Sequence, residues 1–383
     1  MQYRFHQNER ISEIGLGGYA LSGVYGKKDT EQFINVIRRA YDLGVTFYDV
    51  ADIYGPAEEI LGRAVASFRQ KVWIATKVGW SSEGKPDCSP EHIFTSCEQS
   101  LNRIKTDYLD LYQIHFNDPD TPVETTVGAL ERLQVEGKIR HYGIGHLPLD
   151  RLASYFEIGK PFSEMAELSA VARSARERIL PLCQAQDVGV IAFSVTGRGL
   201  LTGKITPGHA FEQGDLRLMD PLFQRERFTS ALRVAERFQT LGNQYGKTPV
   251  QVAIAWVLAQ PGLLCALTGP STIPHLEENL GASGWVIDEA DLSELDSFFA
   301  AEDRRLMHEQ AQSIRIILTQ DLQPERAFND LLYALESLVE IKAANEEEIM
   351  PYIQKLLSIR ERASINSTHQ LREIQAALQH YAP

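Results

Sequence analysis

The sequence lacks the features that mark membrane, secreted and nucleic-acid-binding proteins. No apolar run in its 383 residues is long enough to cross a bilayer, and its N-terminus, MQYRFHQNER, lacks the apolar core of a signal peptide. The net charge of −13 argues against nucleic acid as a general partner. The four cysteines are Cys88, Cys97, Cys183 and Cys265. Because none belongs to a CxxC motif, we predict no metal site and a reduced, cytoplasmic setting.

A Rossmann fingerprint is also missing, since no GxGxxG follows the first strand-like run. Up to about residue 300, the chain instead alternates short apolar runs with helix-like segments. The apolar runs carry β-branched and aromatic residues, as strands do. They occupy residues 11–18, 45–50, 71–78, 108–115, 140–145, 162–168, 188–195 and 263–269.

The segments between these runs carry helix signals. Residues 29–43 begin with an Asp-Thr cap and end at Gly44, and a second segment, 121–136, begins with Thr-Pro. Further helices are predicted at 90–105, 149–157, 174–187, 247–260 and 288–300. Strands that alternate with helices in eight units predict an α/β fold, a (β/α)8 TIM barrel with an N-terminal hairpin. A doubly wound sheet is the main alternative.

Two parts of the chain do not fit eight simple units. Residues 196–246 form a long connection with a helix-like stretch at 228–242, which is either an ordered lid or a surface loop. After residue 300 the strand-like alternation stops. We therefore predict two domains: a barrel at 1–300, and an all-helical C-terminal extension at 301–383 with helices near 303–319, 325–343, 348–361 and 368–381. The extension could cover a barrel face, join subunits of a homo-oligomer or bind another protein.

The ends of the second, third and fourth predicted strands carry polar side chains. The stretch FYDVADIYG, residues 47–55, places Asp49 at a strand end and Tyr54 in the following loop. Lys77 ends the third strand and His115 ends the fourth. Because catalytic groups of such barrels lie at the C-terminal ends of the strands, we expect these four side chains to converge.

The chemistry of this group is specific. A free phenol, with a pKa near ~10, is a weak acid at neutral pH, and a nearby ammonium group favours its phenolate form. A half-buried Lys77 needs a counter-charge, which Asp49 can supply. We therefore predict that Lys77 makes Tyr54 a proton donor to a carbonyl oxygen, while His115 shares the proton or orients a substrate oxygen. Asp52 has no part in this scheme and is interpreted as a solvated or capping residue.

Taken singly, each of the four side chains has an ordinary structural explanation. They could be a surface tyrosine, a solvated lysine, a hydrogen-bonded core histidine and an aspartate that caps the following helix. Four suitable residue types at successive strand ends are much harder to explain by coincidence. The combination, and no single residue, is the basis of the prediction.

These motifs resemble the aldo-keto reductase superfamily. FYDVADIYG looks like the family's second-strand motif, IATKVG supplies its lysine and DYLDLYQIH supplies its histidine. GRGLLTGK at 197–204 looks like the loop after the seventh strand, and LTGPSTIPHLEENLGA at 267–282 looks like the cofactor loop after the eighth. The resemblance covers roughly residues 1–300, with the motifs in the family's order and spacing.

The resemblance implies an oxidoreductase that binds an extended nicotinamide nucleotide without a Rossmann motif. Hydride would pass between the nicotinamide and the carbon of a small-molecule carbonyl or alcohol substrate, while Tyr54 protonates the oxygen. NADP(H) is the family default. NAD(H) is the alternative, because the last loop contains no arginine and His275 stands where a basic residue or glutamine is common.

The resemblance also assigns cofactor contacts, with departures from the family pattern. At the nicotinamide carboxamide, Gly145 and His146 replace a usual Ser-Asn pair, and Ala166 replaces a usual glutamine. Phe193 would stack on the nicotinamide. The loop near the pyrophosphate would comprise Ser194, Gly197, Arg198, Gly199 and Leu200. The last loop would contribute Gly269, Ser271, Thr272, His275, Glu278 and Asn279, of which the final two would contact the adenine.

Loop positions predict a substrate pocket of Tyr25, Trp80, Phe116 and Asn117. Aromatic walls suit many small organic carbonyls and do not identify one. Two alternative functions stay open. One is a redox-neutral dehydratase or epimerase with tightly bound nucleotide, and the other is a nucleotide-binding regulatory subunit that uses residues 301–383 to bind a partner.

Overall fold

The structure is a computed structural model that describes residues 1–24, 26, 29–322, 326–362 and 367–383. Its strands are β1 (Tyr3–His6), β2 (Glu9–Ser12), β3 (Ile14–Gly17), β4 (Phe47–Asp49), β5 (Trp73–Val78), β6 (Leu109–Ile114), β7 (Ile139–Gly145), β8 (Ser163–Glu167), β9 (Gly189–Phe193) and β10 (Leu263–Thr268). β1 and β2 pair antiparallel as an N-terminal hairpin. The other strands close into a barrel in the order β10-β3-β4-β5-β6-β7-β8-β9. This confirms the predicted (β/α)8 fold and its hairpin.

The described residues also form α-helices along the whole chain. The first are α1 (Thr30–Asp42), α2 (Ala57–Val65), α3 (Pro90–Ile104), α4 (Val123–Val135), α5 (Leu149–Ile158), α6 (Ser174–Arg178), α7 (Leu180–Ala185), α8 (Arg225–Tyr245) and α9 (Pro249–Leu258). After the last strand come α10 (Ile273–Leu280), α11 (Glu289–Thr319), α12 (Ala327–Glu340), α13 (Glu346–Arg362) and α14 (Ser367–Leu378). The helices beyond residue 300 confirm the predicted helical extension.

Side-chain caps fix where several helices begin. Before α1, Asp29 Oδ1 accepts a hydrogen bond from the backbone N of Gln32 at 2.8 Å. Before α3, Ser89 Oγ accepts one from the backbone N of His92 at 3.4 Å. Each bond satisfies an N–H group that the first helical turn leaves without an intrahelical partner. The helix start predicted from the Asp-Thr cap is therefore confirmed.

Several helices differ from the predictions. The segments expected at 288–300 and 303–319 are one helix, α11, because no glycine or proline stands between them to interrupt it. The segment expected at 174–187 divides into α6 and α7, next to Pro181. The patterns did not predict α2 and α10, which have only 9 and 8 residues. Such short helices give weak periodic signals.

The hairpin of β1 and β2 covers the end of the barrel where the strands begin. Arg4 donates hydrogen bonds to the carbonyl oxygens of Leu263 at 2.6 Å and Leu258 at 2.5 Å. His6 Nε2 lies 3.0 Å from the carbonyl oxygen of Phe162. Because Leu263 begins β10 and Phe162 immediately precedes β8, these contacts are at the N-terminal ends of the strands. The opposite end is left for chemistry.

Buried apolar side chains fill the barrel interior. They are Ile11, Phe47, Trp73, Ala75, Leu111, Phe162, Met165, Ile191, Leu264, Cys265 and Leu267. The interior is therefore a packed core and not a channel. Polar residues at the C-terminal ends of the strands consequently lie above a closed apolar floor.

Backbone packing divides the chain into two compact units. The first comprises Met1–Leu218 and Ala231–Asp288, and the second comprises Met219–Ser230 and Glu289–Pro383. The second unit has an apolar core of its own, which includes Ile314, Leu318, Leu331, Leu335, Leu338, Ile349, Leu356, Ile374 and Leu378. Within that unit, Tyr333 donates a hydrogen bond to Glu226, and Arg227 Nη2 lies 2.7 Å from Glu340 Oε2. The predicted domain limit at residue 300 stays a prediction.

Candidate active site

Three polar side chains from the predicted catalytic group lie at the C-terminal ends of adjacent strands. Asp49 is the last residue of β4, Lys77 lies near the end of β5, and His115 follows β6. Lys77 Nζ donates hydrogen bonds to Asp49 Oδ1 at 2.5 Å and to the carbonyl oxygen of Val50 at 2.7 Å. The Lys77 and Asp49 side chains are only 1% and 6% exposed. The structure therefore places the predicted partners together as a buried ion pair.

Tyr54 joins this group from the loop after β4. Its hydroxyl lies 3.4 Å from Nε2 of His115, and Lys77 Nζ lies 4.9 Å from the centroid of its ring. Tyr54 is 9% exposed, so little water shields the phenol from these neighbours. The phenol, the imidazole and the ammonium group therefore lie together in one buried cluster.

Burial governs the charges of this group. It lowers the pKa of Lys77 and raises the pKa of Asp49, while the charge of each residue opposes the shift of the other. Each charged form therefore depends on its partner. Burial, then the charge of Lys77 and the neighbouring His146, lower the pKa of His115 to about 2. His115 is consequently neutral, and the positive charge beside Tyr54 belongs to Lys77.

Two neighbours of the catalytic group carry no clear sequence signal. Gln113 Nε2 donates to Asp49 Oδ2 at 3.3 Å and so holds the second carboxylate oxygen. The interpretation of Asp52 as a solvated or capping residue is wrong. Its Oδ1 is buried and has no hydrogen-bond partner in the described part of the chain. Burial and the charge of Glu58, on the unpredicted helix α2, raise the pKa of Asp52 to about 7.

A cleft of about 640 Å³ extends from the catalytic group to α10. Many residues that the sequence assigns to the site line it: Asp49, Tyr54, His115, Phe116, His146, Phe193, Ser194, Arg198, Gly199, Gly269, Ser271, His275, Glu278 and Asn279. The structure thus brings together predicted residues from the ends of five strands, β4, β6, β7, β9 and β10, and from the segments that follow them. Tyr25 lies outside the described residues.

Other predicted site residues stand behind or beside the cleft lining. They are Lys77, Gly145, Gly197, Leu200, Thr272, Trp80 and Asn117. Leu200 is fully buried in the core. Thr272 Oγ1 instead caps α10, where it accepts a hydrogen bond from the backbone N of His275 at 3.3 Å. Trp80 packs against Phe116, with ring centroids 4.9 Å apart.

The loop after β9 turns sharply along the cleft. Its left-handed residues are Ser194, Gly197, Arg198 and Gly199, with φ of 54°, 58°, 53° and 97°. Glycine adopts such angles without strain, and turns of this kind can gather backbone N–H groups around an anion. Arg198 Nη1 lies 2.9 Å from Glu167 Oε1, which restrains the arginine side chain.

The far end of the cleft is formed by α10 and the residues before it. The N-terminus of α10 follows Ser271 and Thr272, and the N-terminus of a helix favours negative charge. Lys204 Nζ, from the connection after β9, lies 2.8 Å from Oε2 of Glu278 on α10. This end therefore offers N–H donors and an ammonium group to a ligand.

His146 follows β7 and lies beside the catalytic group. Its backbone is left-handed, with φ of 55°. Nδ1 donates a hydrogen bond to the carbonyl oxygen of His115, over 2.9 Å. The His146 ring is stacked on the His115 ring at 5.4 Å and meets Phe193 edge-on at 4.9 Å. These contacts fix the orientation of the imidazole within the cleft.

Some lining residues had not been assigned to the site from the sequence. Tyr19 lies edge-on to Tyr54, with ring centroids 5.0 Å apart. Lys204 and Arg217 line the cleft from the connection after β9. Lys204 has a usable signal, because it ends the motif GRGLLTGK. Arg217 has none, because the length of a connection does not predict where it folds.

The described part of the chain offers neither a metal-binding cluster nor a membrane-spanning helix. Among the residues that the structure describes, no group of three or more His, Cys, Asp or Glu side chains could hold a metal ion. No helix in the described ranges is long and apolar enough to span a membrane. The four cysteines are buried and free.

Known proteins resemble the part of the chain that carries this site. Residues 13–300 match the model of the Aldo/keto reductase family. Probable aldo-keto reductase 1 of Glycine max is 35% identical over 297 residues, which are 76% of this chain and 86% of that protein. Aldo-keto reductase YhdN of Bacillus subtilis (strain 168) is 32% identical over 295 residues, 75% of this chain and 89% of that protein.

Solved structures show the same likeness. The glycerol dehydrogenase AKR11B4 from Gluconobacter oxydans has a TM-score of 0.72 and 29% identity, and the match covers 78% of this chain and 95% of that chain. An aldo/keto reductase from Klebsiella pneumoniae, solved with NADP and acetate, has a TM-score of 0.62 and 27% identity, covering 77% and 94%. Because the family match ends at residue 300, most of the C-terminal helical residues lie beyond it.

Proposed function

Since the chain belongs to the aldo/keto reductase family, we propose that it is an oxidoreductase that transfers hydride between a nicotinamide nucleotide and a carbonyl or alcohol substrate. The observation that carries the proposal is the buried Lys77–Asp49 pair beside the Tyr54 phenol. An ammonium group in this position supports a phenol that acts as a general acid and base.

The residues of the cleft fit a nicotinamide nucleotide. The volume of about 640 Å³ is within the range of ~300–1,000 Å³ that is common for ligand sites. Phe193 and His146 offer aromatic surface beside the catalytic group. The left-handed turn at 197–199 and the N-terminus of α10 offer N–H donors to phosphate groups. The aromatic groups and the N–H donors therefore lie one after the other along the cleft, which is the arrangement that an extended dinucleotide requires.

The residues of the chain control the proton while the bound nicotinamide ring supplies or accepts the hydride. Tyr54 Oη donates its proton to the carbonyl oxygen when the carbon is reduced, and it takes a proton back in the oxidation. Lys77 stabilises the phenolate, and Asp49 holds Lys77 in place. Neutral His115 can hydrogen-bond the substrate oxygen, because its Nε2 lies 3.4 Å from the Tyr54 hydroxyl.

The proposal extends to a class of substrate and not to one compound. The wall next to Tyr54 consists of Tyr19, Ala20, Ile53 and Phe116. A wall of this kind favours small, uncharged organic carbonyls and the matching alcohols. NADP(H) is the first choice of nucleotide, since the relative from Klebsiella pneumoniae was solved with NADP. NAD(H) is the alternative.

The test is a steady-state assay of the purified chain with NADPH and with NADH over a panel of aldehydes, ketones and sugars. Tyr54→Phe removes the proton donor but keeps the ring, so turnover should fall by at least ~10²-fold. Tyr41→Phe is the matched control, since it makes the same change on a ring that stacks on Phe68 and is not part of the cleft lining, and it should leave turnover nearly unchanged. Absence of turnover across the panel, or equal turnover in wild type and Tyr54→Phe, would contradict the proposal.

A second candidate is a redox-neutral dehydratase or epimerase that retains its nucleotide through the catalytic cycle. One hydrogen bond favours it: the backbone N of Leu216 donates to the carbonyl oxygen of Val24 at 2.9 Å, between two loops beside the cleft. We expect a connection that is tied down in this way to release a bound nucleotide slowly. Nucleotide that copurifies with the chain and survives dialysis would support this candidate, and rapid exchange would exclude it.

We also propose a cytoplasmic location, and self-association or a protein partner for residues 301–383. The second compact unit, with its own apolar core, supports a separate role for these helices. Cell fractionation tests the location. Light scattering of the full chain tests self-association, and a monomer at all concentrations would leave only a different protein as partner.

A further inference from the structure

A third residue, Gln113 on β6, takes part in the buried pair of Asp49 and Lys77. Gln113 is the register partner of Lys77 on the adjacent strand, and it is 1% exposed. Its Nε2 donates to Asp49 Oδ2 at 3.3 Å, while Lys77 Nζ donates to Asp49 Oδ1 at 2.5 Å. Each oxygen of the buried carboxylate therefore has its own side-chain donor, one charged and one neutral.

The barrel leaves room for the Gln113 side chain at Gly143 on β7. Gly143 pairs with Gln113 on one side and with Ser163 of β8 on the other. A Cβ at Gly143 would stand 3.1 Å from Cγ of Gln113 and 2.7 Å from Oγ of Ser163, so a larger residue would displace one of them. A glycine inside a strand often marks such a close approach. The interior of the barrel at this level is therefore shaped around Gln113.

The charged form of Asp49 depends on both donors. Burial raises the pKa of Asp49, while the charge of Lys77, the hydrogen bond from Lys77 and the hydrogen bond from Gln113 oppose that shift. Burial likewise lowers the pKa of Lys77. Both effects of burial favour the passage of one proton from Nζ of Lys77 to Oδ1 of Asp49, which would leave a neutral amine beside a neutral carboxylic acid. An amide N–H on Oδ2 stabilises the carboxylate and so opposes this transfer.

We propose that Gln113 is a positioning residue that keeps the Lys77–Asp49 pair in its charged form. The inference rests on the proposed function, in which the ammonium charge of Lys77 supports proton transfer by Tyr54. Gln113 acts through Asp49, since it is not among the described residues that line the cleft. Its loss should therefore change the proton-transfer step and leave the binding of the nucleotide unchanged.

The other ionisable groups around the pair do not supply this donor. Asp52 and Glu58 act on the lysine through their charge, and a carboxylate is an acceptor only. His115 is neutral, because burial lowers its pKa. Burial raises the pKa of Cys265 on β10, so this residue remains a thiol, which is a weak donor. Substitution of Gln113 leaves all four groups in the chain, so a changed pH profile can be assigned to the lost amide.

The experiment combines pH profiles of turnover with a double-mutant cycle on the full chain. Gln113→Met and Gln113→Leu both remove the amide but differ in shape, so an effect that they share does not come from packing. Each is made in the wild-type chain and in Asp49→Asn. Gln260→Met is the matched control, because Gln260 is another buried glutamine, whose Nε2 donates to the carbonyl oxygen of Trp256 at 2.8 Å. Urea denaturation is measured on every variant.

The expected result is a loss of turnover that depends on Asp49. Both Gln113 variants should lower kcat by about tenfold at neutral pH and leave KM for the nucleotide within about twofold. The rising limb of the pH profile for alcohol oxidation should move to higher pH, because a weakened ammonium charge gives less support to the phenolate. A merely structural role would leave that profile in place. Gln260→Met should keep the wild-type profile.

The stability measurements should show the same dependence. Removal of one hydrogen bond to a buried carboxylate should lower the urea midpoint by about 0.5 M. In Asp49→Asn the loss caused by Gln113→Met should be about half as large or less, because the carboxylate that needs the donor is absent.

Two results would overturn the inference and leave the proposed function intact. One is a wild-type kcat and pH profile in both Gln113 variants. The other is an equal effect of Gln113→Met with and without Asp49→Asn, which indicates a packing role only. If wild type turns over no substrate, the proposed function fails, and the urea midpoints decide the inference alone. Coupled losses at Gln113 and Asp49 would then support it, and additive losses would refute it.

Discussion

The two ends of the cleft are built in different ways. At the catalytic end, Asp49 and Lys77 stand on strands that pair in a fixed parallel register. At the other end, Arg217 and Lys204 stand on a connection, and each is paired with a carboxylate. Barrel closure therefore fixes the catalytic group, whereas local side-chain pairs fix the ligand-binding groups. Chemistry and ligand choice can accordingly change independently in this chain.

The strongest test removes the charge at the catalytic end. Lys77→Met should lower turnover by about 10³-fold, because the phenol loses the ammonium group that favours its phenolate. It should also lower the free energy of unfolding by about 3–5 kcal/mol, since Asp49 is left charged and buried. Urea denaturation measures the second effect. The double variant with Asp49→Asn should regain much of the stability and none of the turnover; if Lys77→Met keeps its activity, the assigned roles are wrong.

A second test concerns the charge state of the catalytic end. The pKa of His115 is about 2 in the folded chain, against ~6.5 in an unfolded chain. Between these values the unfolded state binds more protons, so stability falls as the pH falls below ~6.5, by up to ~1.4 kcal/mol per pH unit. His115→Gln should remove this component. Urea denaturation of both proteins at pH 6.5 and 5.5 measures the difference, and equal losses would contradict a neutral buried imidazole.

The smallest expected effect comes from a substitution in the left-handed turn, at the ligand-binding end of the cleft. Gly199 has φ of 97°, so Gly199→Ala should cost about 1 kcal/mol of stability. A Cβ there would meet Ile205 at 3.7 Å and Arg217 at 3.8 Å, which are ordinary contacts. We expect weaker ADP binding and nearly unchanged turnover at saturating nucleotide. Gly208→Ala, with no neighbour within 4 Å, is the control, and a larger effect there would refute the role of the turn.

Strand positions explain why much of the catalytic end could be predicted from the sequence. An apolar run of six or so residues must be buried, and its last residue faces the end of the barrel where such sites occur. This rule alone was enough to assign Lys77 and His115 to the site. Gln113 did not follow from it, because a single amide inside an apolar strand does not reveal which carboxylate it will meet. Asp52 was misinterpreted because α2, which places Glu58 beside it, has too few residues to give a periodic signal.

The connections explain what could not be predicted. Arg217 reaches the cleft only because the chain after β9 folds back, and this depends on tertiary contacts such as that of Leu216 with Val24. Local sequence contains no record of such contacts. For a similar reason α11 was divided in two, since the change of composition near residue 300 does not coincide with a helix break. The change of composition near residue 300 indicates a change in what the segment packs against. The helix continues through it because no Gly or Pro interrupts the segment.

The hydrogen bond between His146 and the backbone of His115 has a consequence for molecular recognition. With its Nδ1 proton committed to a carbonyl oxygen, and with burial lowering its pKa, the neutral imidazole carries no proton on Nε2. That nitrogen presents a lone pair only. A primary amide opposite it must turn its NH2 group, and not its oxygen, toward the ring, so one imidazole tautomer selects one of two amide rotamers.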